Sequence, residues 1–260
     1  MQAPEIFPAF SAGGSALQLA PFPASRTMPT VLPAPHEMTL ASVQRDFVEW
    51  RKGRSHYAVW AIDVDTPALR SAIAAMRAHL ADHLLPDYRR QAHVTLHLCG
   101  FPATTANLDD DFPAAILQDQ IAALKTSAPP PFVLEIGNPG SFASAAYLSV
   151  DDCTGGILAT RRALAGNRHP DETFPYTPHV TCGLYRGEFS LPMLIQHMAA
   201  CDTGLPARLW IDRLTLMAYE AAIIGGPLTS LCEFDLATRQ IKVLDPALME
   251  TLFGYSRAGT

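Results

Sequence analysis

Gln91-Ala92-His93-Val94-Thr95-Leu96-His97-Leu98 recurs later in the chain as Thr177-Pro178-His179-Val180-Thr181-Cys182-Gly183-Leu184. Successive side chains of an extended strand point to opposite faces, so His93, Thr95 and His97 are expected on one face and Val94, Leu96 and Leu98 on the other. The second copy divides in the same way, with His179, Thr181, Gly183 and Tyr185 opposite Val180, Cys182 and Leu184. Each copy reads as a strand that buries one face and offers an imidazole and a hydroxyl two residues apart on the other. H-x-T alone is a weak signal, but two copies within similar apolar strands point to one shared site.

Around these strands the element order repeats. Tyr57 to Val64 is rich in β-formers and stops at Asp65-Thr66-Pro67, where Thr66 is the expected N-cap of a helix carrying Leu69, Ile73, Met76 and Leu80. Pro86 ends that region ahead of the first His strand. A helix near Phe112 to Lys125, a strand over Phe132 to Ile136 and its hairpin partner Ala146 to Val150 follow. A helix from Gly155 to Leu164 and a Pro-rich approach over 167–178 then lead to the second His strand. Beyond it are expected a helix over Leu191 to Ala200, a strand over Leu209 to Leu216 and a final strand near Leu231 to Leu236. Hairpin-like pairs favour an α+β fold with antiparallel or mixed sheets over a doubly wound parallel one. Strand, helix, His strand occurring twice is what a pseudo-symmetric, two-lobed fold leaves in a sequence.

The chain ends suggest less order. Residues 1–44 are Pro-rich, carry hardly any charge and read as a flexible segment. The body is expected over 45–245, and 246–260 reads as a peripheral tail. Removal of residues 1–40 is accordingly expected to leave stability untouched. A short helix is expected over Ser42 to Trp50. Arg51-Lys52-Gly53-Arg54 reads as a solvated turn, and Asp109-Asp110-Asp111 as a helix-start charge cluster rather than a cation site.

Composition narrows the function. With 260 residues and 48% hydrophobic content the chain can bury a large core. Nothing approaches the roughly 20 apolar residues of a membrane span, and no secretory signal is evident, so a cytoplasmic protein is expected. The five cysteines are scattered, without a C-x-x-C pair, and read as reduced thiols. A net charge of -6 argues against binding long nucleic-acid tracts, while leaving room for a locally recognised phosphate.

The two H-x-T strands, with Arg89-Arg90-Gln91-Ala92 before the first, Phe142 and Tyr147-Leu148-Ser149-Val150 between them, and Gly226-Pro227-Leu228 with Phe234-Asp235-Leu236 after them, resemble the 2H phosphoesterase superfamily. That superfamily includes 2'-5' RNA ligases and 2',3'-cyclic phosphodiesterases active in RNA processing, and the resemblance spans roughly residues 45–240. It implies a bilobal fold of two mostly antiparallel sheets flanked by helices around a central cleft. It also implies His93 and His179 as general acid and base, and Thr95 and Thr181 as phosphate ligands. Ala92 stands where the family often has proline. Tyr185, placed by alternation on the His179 face, and Arg90, just before His93, are further candidates for binding substrate.

The residues suit that chemistry. Opening a cyclic phosphodiester takes a proton from water and gives one to a departing ribose oxygen, and imidazole does either near pH 7. Hydroxyls and a guanidinium can hold the equatorial oxygens, so no metal or cofactor is required. A pH profile with limbs near neutrality is expected. The expected substrate is an RNA 3' end or a cyclic nucleotide, with no membrane and no obligate protein partner. Two alternatives stay open: a non-catalytic RNA-end or nucleotide binding protein, and a zinc hydrolase using His93, His97 and His179, which lacks a carboxylate or Cys to complete its ligand set.

Overall fold

The computed structural model describes residues 38–166 and 176–254. The chain forms α1 (Val48–Arg51), β1 (His56–Asp63), α2 (Pro67–His79), β2 (His93–Ala103), β3 (Asp111–Pro113), α3 (Ala114–Ser127), β4 (Phe132–Ser141) and β5 (Ala145–Asp151). It continues with α4 (Gly156–Ala165), β6 (His179–Leu184), α5 (Leu191–Ala199), β7 (Ala207–Ile211), β8 (Arg213–Glu220), β9 (Thr229–Asp235), β10 (Ile241–Val243) and α6 (Pro246–Phe253). One sheet has the order β10-β9-β8-β1-β2-β3 and the other β6-β5-β4-β7. All pairings are antiparallel except β2 with β3. The fold is therefore α+β and bilobal, with one His strand in each sheet.

Local chemistry sets the elements. Thr66 caps α2 by accepting from the Leu69 amide at 3.3 Å, with Pro67 at the first helical position. Leu69, Ala72 and Met76 on one stripe of α2 bury against Trp60 and Ile62 of β1 and Val94 and Leu96 of β2. Burying the Trp60 indole satisfies its polar atom as well, because Nε1 donates to Gln120 Oε1 of α3 at 2.8 Å. Leu134, Ile136, Leu148 and Val180 of the second sheet, with Ile157 of α4 and Leu194 of α5, join the same apolar cluster. The longer helices thus pack on the faces opposite His93 and His179, and only the short α1 packs on the His93 face, through Trp50.

Several expectations are corrected. The run Leu209 to Leu216 is two strands, since β7 pairs with β4 in the second sheet and β8 pairs with β1 in the first. Asp212 alone separates them. The helix expected over 42–50 shrinks to α1. Arg54 is drawn out of solvent by Asp110 and Asp111, at 2.5 and 2.7 Å, and its guanidinium lies over the Phe101 ring. The basic turn and the acidic triplet are therefore one interaction, and Asp111 begins β3 rather than a helix.

Both outer boundaries also move. Beyond 245, α6 is capped by Asp245, ends at Gly254 in the left-handed region, and buries Met249, Leu252 and Phe253. At the other end, residues 38–42 dock on the second lobe. Thr39 is buried, its amide donates to Phe189 O at 2.8 Å and its hydroxyl to Gly187 O at 2.8 Å, while the Leu40 and Ser42 amides donate to Ala143 O and Tyr185 O. The remainder of the Pro-rich head, and the approach over 167–175, lie outside the described residues.

Truncation to residue 43 removes these bonds and uncovers buried backbone. It should lower Tm by several degrees relative to truncation to residue 38, as followed by circular dichroism on the two shortened proteins. Equal melting temperatures would show that the docked segment contributes nothing.

Candidate active site

In β2, Ala61 pairs with Thr95 and Asp63 with His93, so His93 and Thr95 do share a face. The next step breaks alternation. Trp60 pairs with His97, which leaves Leu96 as the extra residue of a β-bulge. The same fault occurs in the second copy, where Tyr147 pairs with Thr181 but Ala146 pairs with Gly183, leaving Cys182 extra. Both H-x-T motifs are thus followed immediately by a bulged residue, and the strand beyond each bulge turns over.

This relocates two candidates. His97 lies across from Trp60, on the core side, and Leu98 takes the cleft-facing position, 42% exposed. Tyr185 is 0% exposed, packs in the main core and hydrogen-bonds Ser141 Oγ at 2.6 Å. It supports the second lobe and is not presented to substrate. The same geometry takes His97 out of the ligand set that the zinc alternative needs. The bulge separates His97 from His93, and among the described residues no group of three or more His, Cys, Asp or Glu side chains is placed to hold a metal ion.

The two candidate imidazoles are held alike. His93 Nδ1 donates to the carbonyl of Gln91 at 2.8 Å, and His179 Nδ1 to the carbonyl of Thr177 at 2.8 Å. A carbonyl can only accept, so each Nδ1 carries its hydrogen in either charge state and the proton that titrates is on Nε2. Gln91 is itself fixed, giving 3.0 Å and taking 2.8 Å bonds with the backbone of Leu228. At Ala92 the amide donates to Asp65 Oδ1 at 3.3 Å, a bond the family's proline could not make.

Surroundings make the imidazoles unequal. His93 is 7% exposed, and burial pushes its pKa down to about 4, against the Gln91 hydrogen bond and with help from the positive charges of Arg90 and His179. His179 is more open and is also lowered by burial, with the Thr177 carbonyl opposing. Phe142 meets its ring edge-on at 4.8 Å between centroids, and Tyr147 lies at 5.6 Å. β2 and β6 lie against each other, and the charge of His179 is felt at His93.

Thr95 and Thr181 are partly exposed on the faces of their imidazoles, and the buried Tyr88 hydroxyl lies near Thr181. Arg90 makes no ion pair among the described residues. Its guanidinium stacks over the Tyr219 ring at 3.9 Å and its charge acts on His93 and Tyr88. Two residues missed by sequence reading tie the lobes together at the motif: Tyr176 Oη donates to Thr95 O at 2.5 Å and Arg161 Nη1 to Leu96 O at 2.6 Å. The Arg161 guanidinium also covers the Tyr176 ring at 3.7 Å. Neither residue belongs to a motif, so no sequence signal marked them.

The sequence model of the 2'-5' RNA ligase superfamily matches residues 65–222, and the chain belongs to that superfamily. Among solved structures, LigT of E. coli complexed with 3'-AMP is similar over 70% of this chain and 98% of that one, at 18% identity and TM-score 0.42. TT0787 of Thermus thermophilus covers the same shares at 13% identity and TM-score 0.48. A structure described as a phosphoesterase gives 17% identity and TM-score 0.43, again over 70% of this chain and 98% of its own. No curated protein matches the chain.

A proton-linked effect on stability follows from His93. Its folded pKa lies below the unfolded value near 6.5, so the unfolded chain binds the proton first as pH falls. The full contribution is present above pH 6.5 and is lost towards about 4, a loss on the order of 3 kcal/mol for this group. His93→Gln should flatten the fall of urea midpoint across that window, and an unchanged slope would contradict the burial-driven shift.

Proposed function

We propose that this protein opens 2',3'-cyclic phosphate ends of RNA or nucleotides without a metal, using His93 and His179 as an acid and base pair, with 2'-5' ligation as the reverse reaction of the same site. The observation that carries this reading is the duplicated Nδ1 hydrogen bond to the carbonyl two residues earlier, which leaves two Nε2 atoms as the exchangeable proton carriers of one site. In the hydrolytic direction one neutral Nε2 accepts a proton from water as its oxygen attacks phosphorus, and the other, protonated, gives its proton to the departing ribose oxygen. Thr95, Thr181 and Arg90 hold the non-bridging oxygens as charge develops on them. Superfamily membership supports a phosphoesterase-type enzyme, and the absence of a carboxylate partner for Arg90 among the described residues supports its role as an anion ligand.

His93→Ala and His179→Ala should each reduce turnover of a cyclic-phosphate end by about 100-fold or more with circular dichroism unchanged. Folded variants with near-normal rates would sink the two-imidazole mechanism. The profile of kcat/KM should be bell-shaped, but displaced from the limbs near neutrality that unperturbed imidazoles imply. Burial holds both imidazoles below 6.5 in the free enzyme, His93 at about 4, so the maximum should fall between those values. Each single-His variant should lose one limb, and a maximum above pH 7 would count against the pair.

A further inference from the structure

The cleft face of the first sheet continues well past its catalytic candidates. Ala61 pairs with Thr95 and Thr215, Val59 with Leu98 and Met217, and Tyr57 with Tyr219, so all of these share the face of His93. At the far end Tyr219 packs with Tyr57, Trp50 and Phe101 in a cluster separate from the main core.

Two guanidiniums sit on this aromatic cluster, and they differ. Arg54 lies over Phe101 with both Asp110 and Asp111 as partners. Arg90 lies over Tyr219 with no acidic partner among the described residues, and its Nε and Nη2 are buried without a hydrogen-bond partner among them. The Tyr219 hydroxyl is likewise buried and unpartnered, in a residue 2% exposed. Buried polar atoms are nearly always paired in folded proteins, so several unmet donors gathered around one stacked pair call for an absent acceptor. Burial raises the Tyr219 pKa, so the hydroxyl keeps its proton; the Arg90 charge and the approach of its guanidinium to the phenol oxygen oppose that rise, but a guanidinium can only donate, so the hydroxyl's own hydrogen is still without an acceptor among the described residues. Guanidinium and phenol offer hydrogens and a positive charge with no neutralising carboxylate among the described residues, which suits an oxyanion better than a neutral acceptor.

We propose that Tyr219 is a substrate-binding residue, whose hydroxyl joins the Arg90 guanidinium in an oxyanion subsite gripping the substrate phosphate from the first lobe. The subsite deepens the phosphodiesterase reading and rests on it for the identity of its ligand. An anion seated there also offsets the positive charge that Arg90 exerts on His93, so phosphate binding should make His93 a stronger base.

The test compares wild type, Tyr219→Phe and Arg90→Gln. Melting temperature is measured without ligand, with inorganic phosphate, and with potassium chloride at matched ionic strength, and kcat and KM are measured on a cyclic-phosphate nucleotide. Tyr219→Phe removes no well-formed hydrogen bond within the protein, so its ligand-free melting temperature should equal that of wild type. Its phosphate-induced rise should shrink, and KM should increase about tenfold or more with kcat nearly unchanged, as expected for a lost hydrogen bond to a charged group. Arg90→Gln should lose the phosphate response more completely. A Tyr219→Phe protein with wild-type phosphate response and KM would overturn the subsite, as would a wild type that phosphate stabilises no more than chloride does. Because the phosphate response needs no turnover, it separates failure of the subsite from failure of the two-imidazole reaction, which the His variants report.

Discussion

The extra residue after each H-x-T motif is the constraint on which the rest of the site depends. A bulge interrupts the ladder, sharpens local twist and turns over the face of everything after it. Leu96 and Cys182 therefore limit each motif to one imidazole and one hydroxyl on the open face, returning His97 and Tyr185 towards the core. In the first copy the neighbouring carbonyls are taken up by the other lobe, through Tyr176 at Thr95 and Arg161 at Leu96. The irregularity that ends one motif is thus also where the second lobe takes hold of it.

Inside this frame the two imidazoles are chemically alike and electrostatically unlike. Each is oriented by a backbone carbonyl that no side-chain substitution can remove, so the titrating nitrogen is set by the strand itself. Their difference arises from depth: His93 is buried beside a guanidinium, and His179 is more open beside Phe142 and Tyr147. Such an environment favours neutral rings in the empty protein and protonation once an anion enters.

Much of the fold was legible because local signals agreed. Thr66-Pro67, the β-rich run before it and the apolar periodicity after it all point to the same strand, cap and helix. His93, Thr95, His179 and Thr181 fall where alternation places them, because the count from His to Thr stops short of either bulge. His97 and Tyr185 were misplaced because a single inserted residue leaves no mark in a run of apolar side chains. The exchange of sheets at Asp212 was hidden because Leu209 to Leu216 reads as one run of β-formers, interrupted only by Asp212-Arg213. The last helix was readable in principle, from Asp245-Pro246 at its start and Gly254 at its end.

The junction at Asp212 has a mechanical meaning. A strand of one sheet passes into a strand of the other across one residue, while Leu236 and Asp212 are themselves joined by a backbone hydrogen bond of 2.8 Å. No flexible linker intervenes there to absorb a change of angle, and the lobes share an apolar core. Rotating one lobe against the other would therefore strain the hydrogen bond at Asp212 and the shared core. Lobes joined in this way should melt together as one cooperative unit, and under the proposed function selectivity would fall on the shape of a largely preformed groove rather than on closure around a bound ligand.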